Sequence, residues 1–190
     1  MMRMPVSSFP QRGTSMVEVL VTVVILALGL LGLVGLQTRL QASEMEAYQR
    51  SQALVLLDDM ANRLNSNRSQ AASYVTGTST PLGTGYTCTV TSSSNTQVRD
   101  TCEWSEALKG AAEVSGTNKL GAMVGGRGCV ESLGNNQYLI SVVWQGMNAT
   151  SAPPSSVACG QNLYNSSSGS CTSDRCRRAV TTVVRIGTLS

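Results

Sequence analysis

The sequence predicts an α+β fold in which one long N-terminal helix, part transmembrane and part amphipathic, packs on a small antiparallel β-sheet headpiece with disulfide-stapled loops. Three observations carry this. An apolar run from Met16 to Leu36 passes into an amphipathic stretch with no proline between Pro10 and Pro81. Alternating strand-like segments gather in the last third of the chain, which places a sheet after the helix. All six cysteines lie beyond residue 87, as a small extracytoplasmic domain held by disulfides would have them.

The apolar run comes first. Between Met16 and Leu36 the only formal charge is Glu18, and a helix rising about 1.5 Å per residue crosses a bilayer core of roughly 30 Å in about 20 residues. A carboxylate near the start of such a segment costs up to roughly 3 kcal/mol on insertion scales, so it calls either for the headgroup region or for a partner. Upstream lies a short polar leader with Arg3 and Arg12, and no small-residue cleavage site follows Leu36. Processing is therefore expected before the hydrophobic segment, which is kept. Positive residues stay cytoplasmic, so the C-terminal body is exported.

Past Leu36 the spacing of Leu36, Leu40, Ala47, Leu54, Leu57, Ala61 and Leu64 is helical, and one helix is expected from about Ser15 to Asn65. Gly29, Gly32 and Gly35 recur every three residues inside it, a spacing that suits close packing between membrane helices. A Ser/Thr/Gly/Asn-rich connection follows to Gly85. The stretch 86–91 alternates and reads as a short strand or as a loop bearing Cys88. Asp100 is placed to cap a short helix reaching Ala112, with Trp104 and Leu108 one turn apart on its inner face. A glycine-rich loop from Lys119 to Gly128 has no phosphate-binding context. Residues 128–133, a turn at 134–136, and 137–145 read as a hairpin that puts Tyr138, Ile140, Val142 and Trp144 on one face. A low-complexity excursion from Met147 to Arg175 precedes a closing strand, and Arg175, Arg177 and Arg178 are expected as its solvated start.

Composition narrows the function. Losing Arg3 and Arg12 brings the 14 basic and 11 acidic side chains close to balance, which argues against bulk nucleic-acid binding. There is no histidine, so the usual general base is missing, and the thiols are expected in bridges, so an enzyme is the least favoured class and no cofactor is expected. No Cys-x-x-Cys pair supports a metal site. The disulfide candidates are Cys88, Cys102, Cys129, Cys159, Cys171 and Cys176, and local spacing suggests Cys88 with Cys102 and Cys159 with Cys171 or Cys176.

The segment Arg12-Gly13-Thr14-Ser15-Met16-Val17-Glu18 resembles the prepilin cleavage motif of type IV pilins and type II secretion pseudopilins. That resemblance implies cleavage between Gly13 and Thr14, N-methylation of Thr14, and Glu18 as the fifth mature residue, serving filament assembly. Thr14 stands where the family carries phenylalanine. Residues 29–37, the Trp104 helix, the segment 138–146 and the closing Arg-Arg-Ala-Val strand are similar to minor pilins of the PilV (type IV pilus modification) family. The implied organisation is a leader over 1–13, a transmembrane and filament-core helix over 14–36, an amphipathic half-helix over 37–65 and a headpiece over 66–190. Gly35 falls in the region where major pilins carry a helix-breaking proline, so Gly29, Gly32 and Gly35 are expected to give that helix flexibility.

The implied role is a minor pilin that primes or caps pilus assembly in a tip complex, in support of adhesion, twitching motility or DNA uptake. Its implied partners are the prepilin peptidase, the inner-membrane assembly platform, other minor pilins, the major pilin and a large tip adhesin. Its implied location is the inner membrane with the headpiece in the periplasm, and then the pilus. Two alternatives share the helix physics: a minor pseudopilin of type II secretion, and a single-pass anchored binding domain that never joins a filament.

Overall fold

The structure, a computed structural model, describes residues 15–111, 114–115, 118–119 and 123–187. The chain divides into two compact units, Met1–Ser43 and Glu44–Ser190. One helix, α1 (Met16–Ser66), supplies residues to both. It matches the expected span within a residue at each end.

Within the first unit α1 buries nothing, and its Val, Leu and Ile side chains from Met16 to Leu36 all stand open. This is a helix long and apolar enough to cross a membrane. Within the second unit α1 buries a stripe of Gln49, Ala53, Leu57, Met60 and Leu64, spaced by threes and fours. Leu57 and Leu64 were expected on that face. Leu54 and Ala47 were too, and they are exposed instead, because the buried line runs through Ala53, one position from Leu54, and Gln49, two from Ala47.

A 3₁₀ turn, Arg68–Tyr74, breaks the expected irregular connection and buries Ala71 and Tyr74. Strand β1 is only Leu82–Gly83, just upstream of the Thr-rich stretch, and 86–90 is the loop bearing Cys88. Helix α2 runs Thr96–Leu108. Its cap is Asn95, whose side chain accepts the Val98 N–H at 2.9 Å, and not Asp100, which lies inside the helix. A two-residue pair, β2 (Val114–Ser115) with β3 (Asn118–Lys119), follows.

Strands β4 (Arg127–Gly134), β5 (Gln137–Gln145) and β6 (Arg177–Arg185) complete an antiparallel sheet of order β1-β4-β5-β6. Asn135 and Asn136 take φ of 50° and 56°, the left-handed pair that a tight hairpin turn between β4 and β5 demands. On the inner face Tyr138, Ile140, Val142 and Trp144 join the α1 stripe, Tyr74, Trp104 and Leu108 in one core, as their alternation predicts. Gly128 of β4 lies directly under the Trp104 ring and the Leu108 side chain, where a Cβ has no room. The Trp104 indole N–H donates to the Leu56 carbonyl at 2.8 Å, so the largest core side chain also satisfies its one polar atom.

Candidate functional site

Of the residues tied to processing, Gly13 and Thr14 lie outside the described residues, as does the leader. Glu18 sits in the first turn of α1, exposed, with its own N–H donating to the Ser15 carbonyl at 2.9 Å. No ion pair involving it occurs among the described residues. Gly29, Gly32 and Gly35 are also exposed, with nothing within 4 Å of where a Cβ would stand. The helix is continuous through all three. One turn beyond Gly35, the Thr38 hydroxyl donates back to the Val34 and Gly35 carbonyls at 3.2 and 3.0 Å. The site is therefore a bare apolar helical surface carrying one acid near its start.

The second unit is fixed by polar contacts that the sequence did not announce. Arg63 of α1 reaches Asp59 at 3.1 Å, Asp100 at 3.0 Å and Glu103 at 2.8 Å, joining α1 to α2. Burial disfavours its charge, but the Glu103 and Asp59 hydrogen bonds and the charges of Asp59 and Asp100 outweigh that and push its pKa up. Asp100 also accepts from the Tyr74 hydroxyl, and Asn67 donates to that hydroxyl at 3.1 Å. Burial, with Asp100 beside it, pushes the Tyr74 phenol up to about 12. Glu46 accepts from Arg178 at 3.0 Å and from the Met147 N–H at 3.1 Å, across 132 positions of sequence in the first case. No local pattern marks such a pair.

The arginines at the start of β6 are not a solvated cluster. Arg177 is 2% exposed, donates to the carbonyls of Val157 at 2.7 Å and Cys159 at 3.0 Å, and meets Asp174 at 3.3 Å. Arg178 donates to the Asn148 carbonyl at 2.7 Å as well as to Glu46. Both guanidinium groups organise the 147–176 excursion, whose free carbonyls need donors. Of the three, only Arg175 is exposed, and its guanidinium reaches the Thr150 carbonyl at 3.4 Å.

The bridges are Cys88–Cys102, Cys129–Cys159 and Cys171–Cys176. The first is the pair that spacing suggested. Cys159 was expected to join Cys171 or Cys176, and it joins Cys129 of β4 instead. The reason is on the sheet's outer face, where Cys129, Val143 and Ala179 need a cover that Cys159 and Tyr164 provide. The Tyr164 hydroxyl lies 2.8 Å from the Gly125 carbonyl and 3.2 Å from the Val143 carbonyl, while the Arg127 guanidinium stacks 5.0 Å from its ring centre. Burial pushes this phenol up to about 12, against the pull of Arg127.

Every cysteine is thus in a bridge, and among the described residues no group of three or more acidic or thiol side chains is placed to hold a metal ion. No protein-family model, curated protein or solved structure matches the chain. What the fold itself defines is a class: a disulfide-bridged α+β headpiece whose first helix continues into a segment long and apolar enough to span a bilayer.

Proposed function

We propose that this chain is a minor pilin, held in the inner membrane by α1 with the headpiece outside, and then carried into a type IV pilus as part of a priming or tip complex. The observation that carries the reading is the continuity of α1. One helix has a first stretch with no buried side chain and a lone acid, and a second stretch that builds the core of a bridged headpiece. A bare apolar helix leaves lipid without loss only if a bundle of like helices receives it. Inside such a bundle the Glu18 carboxylate and the freed amine of a neighbour's Thr14 are each costly alone and tolerable together.

The test has two parts. Mass measurement of the mature protein is expected to show a chain starting at Thr14 with one added methyl group and three disulfides. Glu18→Ala is expected to lower incorporation into sheared filaments by at least about tenfold, equivalent to roughly 1.4 kcal/mol, while leaving headpiece stability unchanged. An uncleaved product, or wild-type incorporation of the variant, overturns the reading. Loss of exoprotein secretion with pili intact on deleting the protein assigns it instead to the pseudopilins.

A further inference from the structure

The outer edge of β6 ends the sheet, and its outward backbone groups beyond Arg177 meet no backbone partner among the described residues. Hydrogen bonds from the Gly146 N–H to the Cys176 carbonyl and from the Ile186 N–H to the Asn136 carbonyl bracket the β5–β6 ladder and set its phase. Arg178, Val180, Thr182 and Val184 therefore turn their backbone groups toward β5. Ala179, Thr181, Val183 and Arg185 turn theirs away from it. On that side the sheet order ends, and among the described residues no backbone partner meets those four positions. The excursion covers the edge only as far as Arg177, whose N–H is taken by the Asp174 carbonyl. Beyond it Thr181, Val183 and Arg185 are exposed, Val183 at 53%.

Proteins usually blunt such an edge with proline, a bulge, an inward charge or a lysine. Between Ala179 and Val184 there is none of these, only an uncharged run of mainly β-branched residues. The regular register over the full length of β6 leaves its ladder intact. By contrast the opposite edge of the sheet is occupied: β1 pairs at Arg127 and Gly128, and Val130 exchanges hydrogen bonds with Thr76 and Gly77.

We infer that β6 is a docking edge for an extended segment of another protein, added as a further strand, with acidic residues flanking an alternating centre. Backbone donors and acceptors in strand phase are matched by another backbone in strand phase. The charges settle the flanks. Arg175 and Arg185 stand exposed at the two ends of the edge, no acid lies on β6, and Arg185 has no charged partner among the described residues. A second copy of β6 offers no acid to meet Arg175 or Arg185, since every charge on that strand is positive. The inference concerns the headpiece alone and holds whichever assembly the chain enters.

Amide hydrogen exchange on the full chain in detergent micelles tests it, with a synthetic peptide of alternating Thr and Val flanked by Asp as probe and a Lys-flanked peptide as its counterpart. In the free chain the amides of Thr181 and Val183 are expected to exchange fast, and those of Thr182 and Val184 slowly. Saturating Asp-flanked peptide is expected to slow Thr181 and Val183 at least about tenfold, and the Lys-flanked peptide to bind several-fold more weakly. Val183→Pro removes an outward N–H without touching the β5 ladder, so it is expected to abolish that protection while the exchange of Val180 and Val142 stays slow. Where proline disturbs the strand, Val183→Asp keeps the N–H but repels the acidic flanks, and is expected to lower the protection several-fold. Slow exchange of Thr181 and Val183 in the free chain, protection that rises with protein concentration alone, no added protection from the peptide, or equal protection in both variants overturns the inference.

Discussion

The two halves of α1 are the same secondary structure under opposite conditions. In the first, Leu31 is 69% exposed although it sits in a stretch of mean hydropathy 2.9. In the second, Leu57 is 4% exposed in a far more polar stretch. Hydrophobicity therefore does not decide burial within this chain. Supply of a matching surface does: the second half meets a sheet face and α2, while the first buries nothing among the described residues.

That contrast can be broken or sharpened by measurement. The largest effect is expected from Trp104→Ala, which empties the centre of the packed core and removes the indole hydrogen bond to the Leu56 carbonyl. The loss should be about 3–5 kcal/mol, read from the denaturant midpoint of the full chain in detergent. Replacing Cys129 and Cys159 together by Ala should cost about 2–4 kcal/mol by the same measurement, because the bridge holds a long excursion against the outer face.

A smaller effect is expected in alkali. The buried phenols of Tyr74 and Tyr164 are held at about 12, above the ordinary value of 10.0, so the folded state favours their neutral forms. Their contribution is complete below pH 10 and is lost as pH rises toward 12. For Tyr164 that loss is of the order of 2 kcal/mol, and Tyr164→Phe should flatten the fall in stability across this window. The smallest effect belongs to the other half of the helix. Leu31→Ala should change headpiece unfolding by less than about 0.5 kcal/mol, and a larger change would mean that the two halves are not energetically separate.

Much of this architecture was legible because it rests on periodicity. The span of α1, the β4–β5 hairpin with its Asn-Asn turn, and the inward alternation from Tyr138 to Trp144 follow from spacings of three to four and of two. The failures share a cause. Asp100 looked like a cap because an acid preceding apolar residues usually is one, but Asn95 reached the free N–H first and left Asp100 to tertiary partners. Arg177 and Arg178 looked solvated because charge is normally exposed, and the carbonyls of a distant excursion were not visible as acceptors. Chain separation favours near neighbours for Cys159, whereas the uncovered outer face of the sheet selects Cys129. For the candidate site, Glu18 and the three glycines are conspicuous only through their setting in an apolar run. The pairing of Glu46 with Arg178 had no signal in either segment.

Gly128 has a consequence for how this headpiece tolerates change. With the indole of Trp104 resting on its backbone, the distance between α2 and β4 is set by the thickness of a bare main chain. Any side chain introduced there wedges the two elements apart, and the strain would pass along α2 to Cys102 and the Arg63 contacts before it reached the sheet's other strands. Variation at this position is therefore a sensitive gauge of how much separation the packing of helix on sheet can absorb.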